Sequence, residues 1–190
     1  MKAILLDRDG VINRKAPDGE YISTLAEFRL LPGAAEAMAT LARSGFEIFV
    51  VTNQRGVARG RVTPVELDRM HAELIRAVER AGGQIRQIYI CPHDVADDCE
   101  CRKPKPGMLM KAIRDYQIDA ADSWMIGDSR SDMLAGKAAG CQTMFVGPRE
   151  SNAHADAYVD SLKSAASAIR MLSNGPPREN TARHCRPQRV

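Results

Sequence analysis

Apolar residues in this chain fall in short runs, each closed by a small or acidic residue and followed by a segment of helical period. Ala3–Leu6 is wholly apolar and stops at Asp7. Phe46–Val51 is nearly so and stops at Thr52-Asn53-Gln54. Ile85–Ile90 and Trp124–Ile126 follow, the latter stopping at Gly127-Asp128. Runs of this length between turn residues read as buried strands. Thr143–Val146 and Ala157–Val159 are weaker strand candidates.

Between these runs the period changes. Pro32-Gly33 opens a helix over 33–43 that puts Ala35, Met38, Leu41 and Ala42 on one face, and Gly45 ends it. A second helix reaches 81, with Thr63 as N-cap, Pro64 at its first position and Glu66 completing a capping box. Pro106-Gly107 opens a third, to 116. The spacing predicts others over 131–139 and 161–173. Residues 11–31 are irregular, with a turn at Pro17-Asp18-Gly19. Strands alternating with helices at this spacing predict an α/β fold, a doubly wound parallel sheet covered on both faces, in one domain over 1–173. Beyond Asn174, prolines and scattered arginines predict a disordered tail.

Composition adds exclusions. The net charge is +3, and Arg178, Arg183, Arg186 and Arg189 of the tail inflate it. The body is near neutral, so nucleic-acid binding is not implied. No apolar run is long enough for a membrane span, and the first strand leaves no room for a signal peptide; the expected location is the cytoplasm. There, five cysteines are expected to be free or metal-bound.

The chemistry concentrates where strands end. Asp7 and Asp9 leave the first strand one residue apart, and Gly10 follows. Two convergent carboxylates repel unless a cation or shared proton lies between them, which suggests Mg²⁺. In a doubly wound sheet, Asp7, Asp9, Thr52, Lys103 and Asp128 would share the edge where ligands bind. Carboxylates, a hydroxyl, an ammonium and Mg²⁺ suit phosphoryl transfer. Separately, Cys91, His93, Cys99 and Cys101 supply three thiolates and one imidazole, the donor set of a closed, structural Zn²⁺ site. Fixing that loop would fix Arg102 and Lys103 directly after it. Cys141 reads as a small core residue and Cys185 as a free tail thiol. His71, His154 and His184 read as solvent-facing or helix-surface residues. Asp132 either braces its helix or holds the metal through water.

Four segments together resemble the haloacid-dehalogenase-like (HAD) phosphatases. They are Asp7-Arg8-Asp9-Gly10, Thr52-Asn53-Gln54, Arg102-Lys103-Pro104 with Pro106-Gly107, and Gly127-Asp128-Ser129 with Asp132. The resemblance covers about 1–173. It implies that Asp7 is the nucleophile and Asp9 the general acid–base. Mg²⁺ would be held by Asp7, the Asp9 carbonyl and Asp128, with Thr52 and Lys103 on the phosphoryl group. With the zinc loop, the chain is similar to the capless branch holding heptose-bisphosphate and histidinol-phosphate phosphatases. By matching position, that likeness puts Asn13, Asp18, Gly19, Tyr21, Asn53, Gln54 and Arg102 on the substrate. Arg55 departs from the pattern, where serine is usual. It would either contact a distal phosphate or face solvent.

The expected substrate is a small sugar bisphosphate. The expected reaction removes its 7-phosphate on the route to activated heptose for lipopolysaccharide core or other surface glycans. The expected state is a monomer. Histidinol phosphate is the rival substrate; it is cationic at its amine, and Arg102 counts against it. A polynucleotide phosphatase would want an aromatic groove, against 5% aromatic content. A mutase would want a cap. A non-catalytic zinc-stapled binding module would lack a catalytic carboxylate, and all are present.

Overall fold

Neighbouring residues of one strand face opposite sides of a sheet, and here that alternation divides the interior in two. In β1 (Ala3–Leu6), Ile4 and Leu6 join one apolar cluster, and Ala3 and Leu5 the other. In β2 (Glu47–Asn53), Ile48 and Val50 go to the first, Phe49 and Val51 to the second. α1 (Ala34–Arg43), α3 (Pro64–Arg80) and α6 (Leu162–Ser173) cover the first face, and α4 (Gly107–Tyr116) and α5 (Arg130–Ala138) the second. A four-residue α2 (Arg55–Ala58) follows β2. The computed structural model describes residues 1–148 and 154–173, so the expected tail, with Cys185 and His184, lies outside the described residues.

The remaining strands are β3 (Gln87–Cys91), β4 (Trp124–Gly127), β5 (Gln142–Val146) and β6 (Ala157–Val159). All pairings are parallel, in the order β3-β2-β1-β4-β5-β6. The chain winds outward from β1 to β2 and β3, then returns to β4 on β1's other side. That reversal puts a crevice at the carboxyl ends of β1 and β4, where doubly wound sheets take ligands.

Three details differ from the sequence expectation. α2 and a 3₁₀ turn at Val95–Asp97 occupy segments read as loop. β3 extends to Cys91, which pairs in register with Asn53. The Thr63 capping box is only half formed. Its hydroxyl accepts from Glu66 N at 3.1 Å. The Glu66 carboxylate instead accepts from Leu25 N at 3.1 Å and pairs with Arg69 at 2.6 Å. It ties the irregular segment to α3.

α5 lies tight on the sheet because Gly136 has no side chain. A Cβ there would sit 2.7 Å from Met125 Cβ and 2.8 Å from Thr143 Cγ2. Alanine gains about 1 kcal/mol of helix propensity over glycine, but overpacking costs about 1–3 kcal/mol. Gly136→Ala is therefore expected to lower the urea midpoint; a raised midpoint would show that the sheet yields.

Candidate active site

Asp7 continues the β1–β4 pairing by donating its N–H to Ile126 O at 2.9 Å. Leu6 pairs with Ile126, so Asp7 and Asp128 emerge side by side at the switch point. Gly10 makes this approach feasible. Its φ is +92°, and a Cβ there would lie 2.2 Å from Asp128 Oδ2.

Lys103 binds the site together and is 3% exposed. Its Nζ lies 2.7 Å from Asp7 Oδ1, 2.7 Å from Val51 O and 2.6 Å from Asp132 Oδ1. Burial opposes its charge, but Asp132 and Asp7 outweigh burial and hold the ammonium well above its ordinary range. For Asp7, burial dominates: despite Lys103, the carboxyl is pushed up to about 7, with Asp132 and Asp9 adding repulsion. Asn53 holds the lysine's backbone from both sides. Its Nδ2 donates to Lys103 O at 3.0 Å, and its Oδ1 accepts from Lys103 N at 3.1 Å. Of the two roles considered for Asp132, the structure shows the brace on its helix, and it adds an ion pair that was not expected. Asp132 closes a capping box with Ser129 at the start of α5 and pairs with Lys103.

Asp9 faces a different set of donors. Arg8 Nη2 reaches both its oxygens, at 2.9 and 3.0 Å, Asn13 Nδ2 donates at 2.8 Å and Gln54 Nε2 at 2.8 Å. Burial alone would raise its pKa; Arg8, Asn13 and Gln54 outweigh burial and lower it. Gln54 Nε2 also donates to Thr52 Oγ1 at 2.8 Å.

An open cavity of about 360 Å³ stands over these groups. Asp7, Asp9, Asp18, Gly19, Tyr21, Asn53, Gln54, Arg55, Arg102, Lys103 and Asp128 line it. Two residues expected on the substrate do not: Asn13 is 0% exposed and Thr52 1%. Each stands behind the wall, against Asp9 and Gln54 respectively. Arg55 faces the cavity with its Nε 4.0 Å from Asp94 Oδ1. Arg102 Nη1 donates to His93 O at 3.2 Å.

Two groups of side chains suit metal ions. Oxygens of Asp7, Asp128 and Asp132 lie within 4.8 Å of one another. Asp132 gives Oδ1 to Lys103 and Oδ2 to Ser129, whereas Asp7 meets Lys103 through Oδ1 and Asp128 meets Lys15 through Oδ2, so the second oxygen of each suits a hard cation. The carboxylate of Asp9 is not in this group and is taken up by Arg8, Asn13 and Gln54. Burial raises the Asp128 pKa despite Lys15, whose Nζ is 3.0 Å away. A divalent cation would relieve the repulsion among these carboxylates.

In the second group, Cys91 Sγ lies 3.6 Å from Cys99 Sγ and 3.7 Å from His93 Nδ1; Cys101 Sγ lies 3.4 Å from Cys99 Sγ and 3.2 Å from the same nitrogen. A tetrahedral zinc site with ~2.0–2.3 Å bonds has ligand separations of about 3.5–3.8 Å. The donors thus sit close to the required corners. Burial pushes the Cys101 thiol up to about 12 and raises Cys91. Burial also opposes ionisation of Cys99, but hydrogen bonds with Cys101 and Cys91 draw it to about 7. Three adjacent thiols of this kind ionise together only around a cation.

A HAD-hydrolase-like family model matches residues 100–165. The chain is 44% identical over 146 residues to the D-glycero-β-D-manno-heptose-1,7-bisphosphate 7-phosphatase of Pseudomonas putida, covering 77% of this chain and 82% of that one. The enzyme of that name from Neisseria meningitidis serogroup B is 43% identical over 146 residues, covering 77% of each chain. The chain belongs to this phosphatase family. A solved member, the D,D-heptose 1,7-bisphosphate phosphatase of Bordetella bronchiseptica with magnesium and phosphate, superposes at a TM-score of 0.84 with 33% identity, over 90% of this chain and 99% of that one. As family members are phosphoric monoester hydrolases, the resemblance in the four motifs holds.

Three site residues escaped the sequence reading. Lys15 is on the cavity wall. Arg8, between the two aspartates, is 1% exposed. His71, read as a surface residue, is 6% exposed, with Nε2 3.2 Å from Arg8 Nη1. A signal was present for His71: it stands on the buried stripe Leu67, Met70, Leu74 and Val78 of α3. His154 is exposed and Cys141 buried, as expected.

Burial and Arg8 push the His71 pKa down to about 4 from an ordinary 6.5. The folded protein thus holds it neutral, and the unfolded chain binds its proton more tightly. Its contribution is fully present above pH 6.5 and is lost as pH falls towards 4, by roughly 3 kcal/mol at most. His71→Gln should flatten the stability slope across that window; an unchanged slope would remove His71 as its source. In the metal cluster, Cys99→Ser is expected to strip zinc from the purified protein and lower the melting temperature. Unaltered zinc content and melting temperature would exclude this cluster as a zinc site.

Proposed function

We propose that the protein removes the 7-phosphate of D-glycero-β-D-manno-heptose 1,7-bisphosphate, with Mg²⁺ as catalytic cofactor and Zn²⁺ as a structural one. The observation that carries the reading is the buried Lys103 ammonium on Asp7, in a cavity that also presents Arg102 and Arg55. Such a cavity offers separate cationic ground to a reacting phosphoryl group and a distal phosphate. The β-anomer is favoured by the names of the relatives. Phosphorylated sugars do not cross membranes unaided, which supports a cytoplasmic reaction, and among the described residues no helix is long and apolar enough to span a bilayer. One chain supplies every residue of the site, so a monomer suffices. The product would serve activated-heptose synthesis for surface glycans.

In this reading a carboxylate oxygen of Asp7 attacks the 7-phosphorus as its bond to the sugar oxygen breaks. Asp9 gives that oxygen a proton. In the second half, Asp9 takes a proton from water, whose oxygen attacks the aspartyl phosphate. Inorganic phosphate leaves and the Asp7 carboxylate is restored. Mg²⁺, held by Asp7, Asp128 and the Asp9 carbonyl, would neutralise phosphoryl oxygens and keep Asp7 ionised. Lys103 supplies fixed positive charge beside Asp7. Arg8 favours the ionised Asp9 needed for the second half, and an arriving phosphate dianion favours its protonation for the first. Thr52 and Asn13 act through Gln54 and Asp9. Asp18, Gly19 and Tyr21 form the wall against which the sugar lies.

Asp7→Asn should reduce phosphate release below detection while the protein still folds, as its circular dichroism would show; retained turnover would reject the nucleophile. Arg102→Ala should raise KM for the bisphosphate by about tenfold, near 1.4 kcal/mol, and less for a sugar monophosphate. Equal effects on both would exclude Arg102 from the distal phosphate.

A further inference from the structure

His71 has no part in the reaction as described, yet it is built into the floor beneath it. Its Nε2 lies 3.2 Å from Arg8 Nη1. A guanidinium carries five donors and no acceptor. Nε2 must therefore hold the lone pair, and the ring is neutral with its proton on Nδ1. The lowered pKa of His71 agrees. Arg8 has no solvent to turn into. It is 1% exposed, and its guanidinium carbon lies 5.6 Å from the centre of the Phe28 ring. Its Nε and Nη2 point to Asp9, at 3.3, 2.9 and 3.0 Å. That grip uses one edge of the planar fork and leaves Nη1 on the other. A buried donor left unpaired costs about 1–3 kcal/mol. His71 accepts from that donor and fixes the plane of the fork.

We propose that His71 is a positioning residue for acid–base catalysis: from α3 it sets the Arg8 fork, and through it the direction of the Asp9 carboxylate. This rests on the reading of Asp9 as the acid–base group. A carboxylate aimed in this way delivers its proton to the sugar oxygen without first giving up a rotamer.

The test compares two leaving groups. An alkoxide needs Asp9's proton to depart, whereas p-nitrophenolate leaves without one. kcat/KM is measured with Mg²⁺ on heptose 1,7-bisphosphate and on p-nitrophenyl phosphate. His71→Leu is expected to lose about tenfold or more on the sugar phosphate, carried by kcat with KM within about twofold, and less than about threefold on the aryl phosphate. His71→Gln, whose amide oxygen can accept from Arg8, should recover most of the loss. Equal losses on both substrates, or a glutamine variant no better than leucine, would overturn the proposal. If His71→Leu does not fold, His71→Met provides the same comparison. Asp9→Asn separates the two claims. If it shows the leaving-group difference and His71→Leu does not, only the role of His71 fails. If Asp9→Asn loses equally on both substrates, the acid–base assignment fails, and the His71 proposal with it.

Discussion

A lysine ammonium at the carboxyl edge of a parallel sheet, cut off from water, organises this molecule. Burying such a charge costs several kcal/mol unless it is paired and hydrogen-bonded. Lys103 meets that condition with Asp7, Asp132 and the carbonyl of Val51. Each partner comes from a different part of the chain: the ends of β1 and β2, and the first turn of α5. The ion pairs therefore fix how those three segments meet. They also leave Asp7 beside a permanent positive charge, where a phosphoryl group gaining negative charge is best received.

The cluster of Cys91, His93, Cys99 and Cys101 is tied to the same lysine. Cys91 closes β3 in register with Asn53, and Asn53 grips the backbone of Lys103. Cys101 lies two residues before Lys103. A metal ion joining Cys91 to Cys101 would close a short ring through β3, β2 and the lysine. Arg102, bonded to His93 O, stands on that ring and faces the cavity. A closed site with no open coordination position suits a positioning task.

Much of this was legible in the sequence, and the physical reason differs by element. Each strand ended by a carboxylate or amide stood out because a parallel sheet buried on both faces needs unbroken apolar runs. The Cys91–Cys101 spacing stood out because few other uses place three thiols and an imidazole so close. α2 was hidden: its four residues carry no helical period. The Glu66 carboxylate was misdirected because a local capping pattern says nothing of Leu25, which is distant in sequence. Thr52 falls in a matching motif and Asn13 at a matching position, but neither reveals which side chains stand behind others. His71 and Arg8 were missed because charged and polar residues are ordinarily read as exposed, whereas here each satisfies the other in the interior.

Arg102 and Arg55 on the cavity wall are the groups that would favour a sugar bisphosphate over a cationic monophosphate. The most direct measurement is kcat/KM for phosphate release, with Mg²⁺, on the β and α anomers of D-glycero-D-manno-heptose 1,7-bisphosphate and on histidinol phosphate. The β-anomer is expected to be preferred about tenfold or more over either alternative, near 1.4 kcal/mol of transition-state discrimination. A preference for histidinol phosphate would contradict it, leaving the fold and the Asp7–Lys103 pair in place but removing the distal phosphate from Arg102 and Arg55.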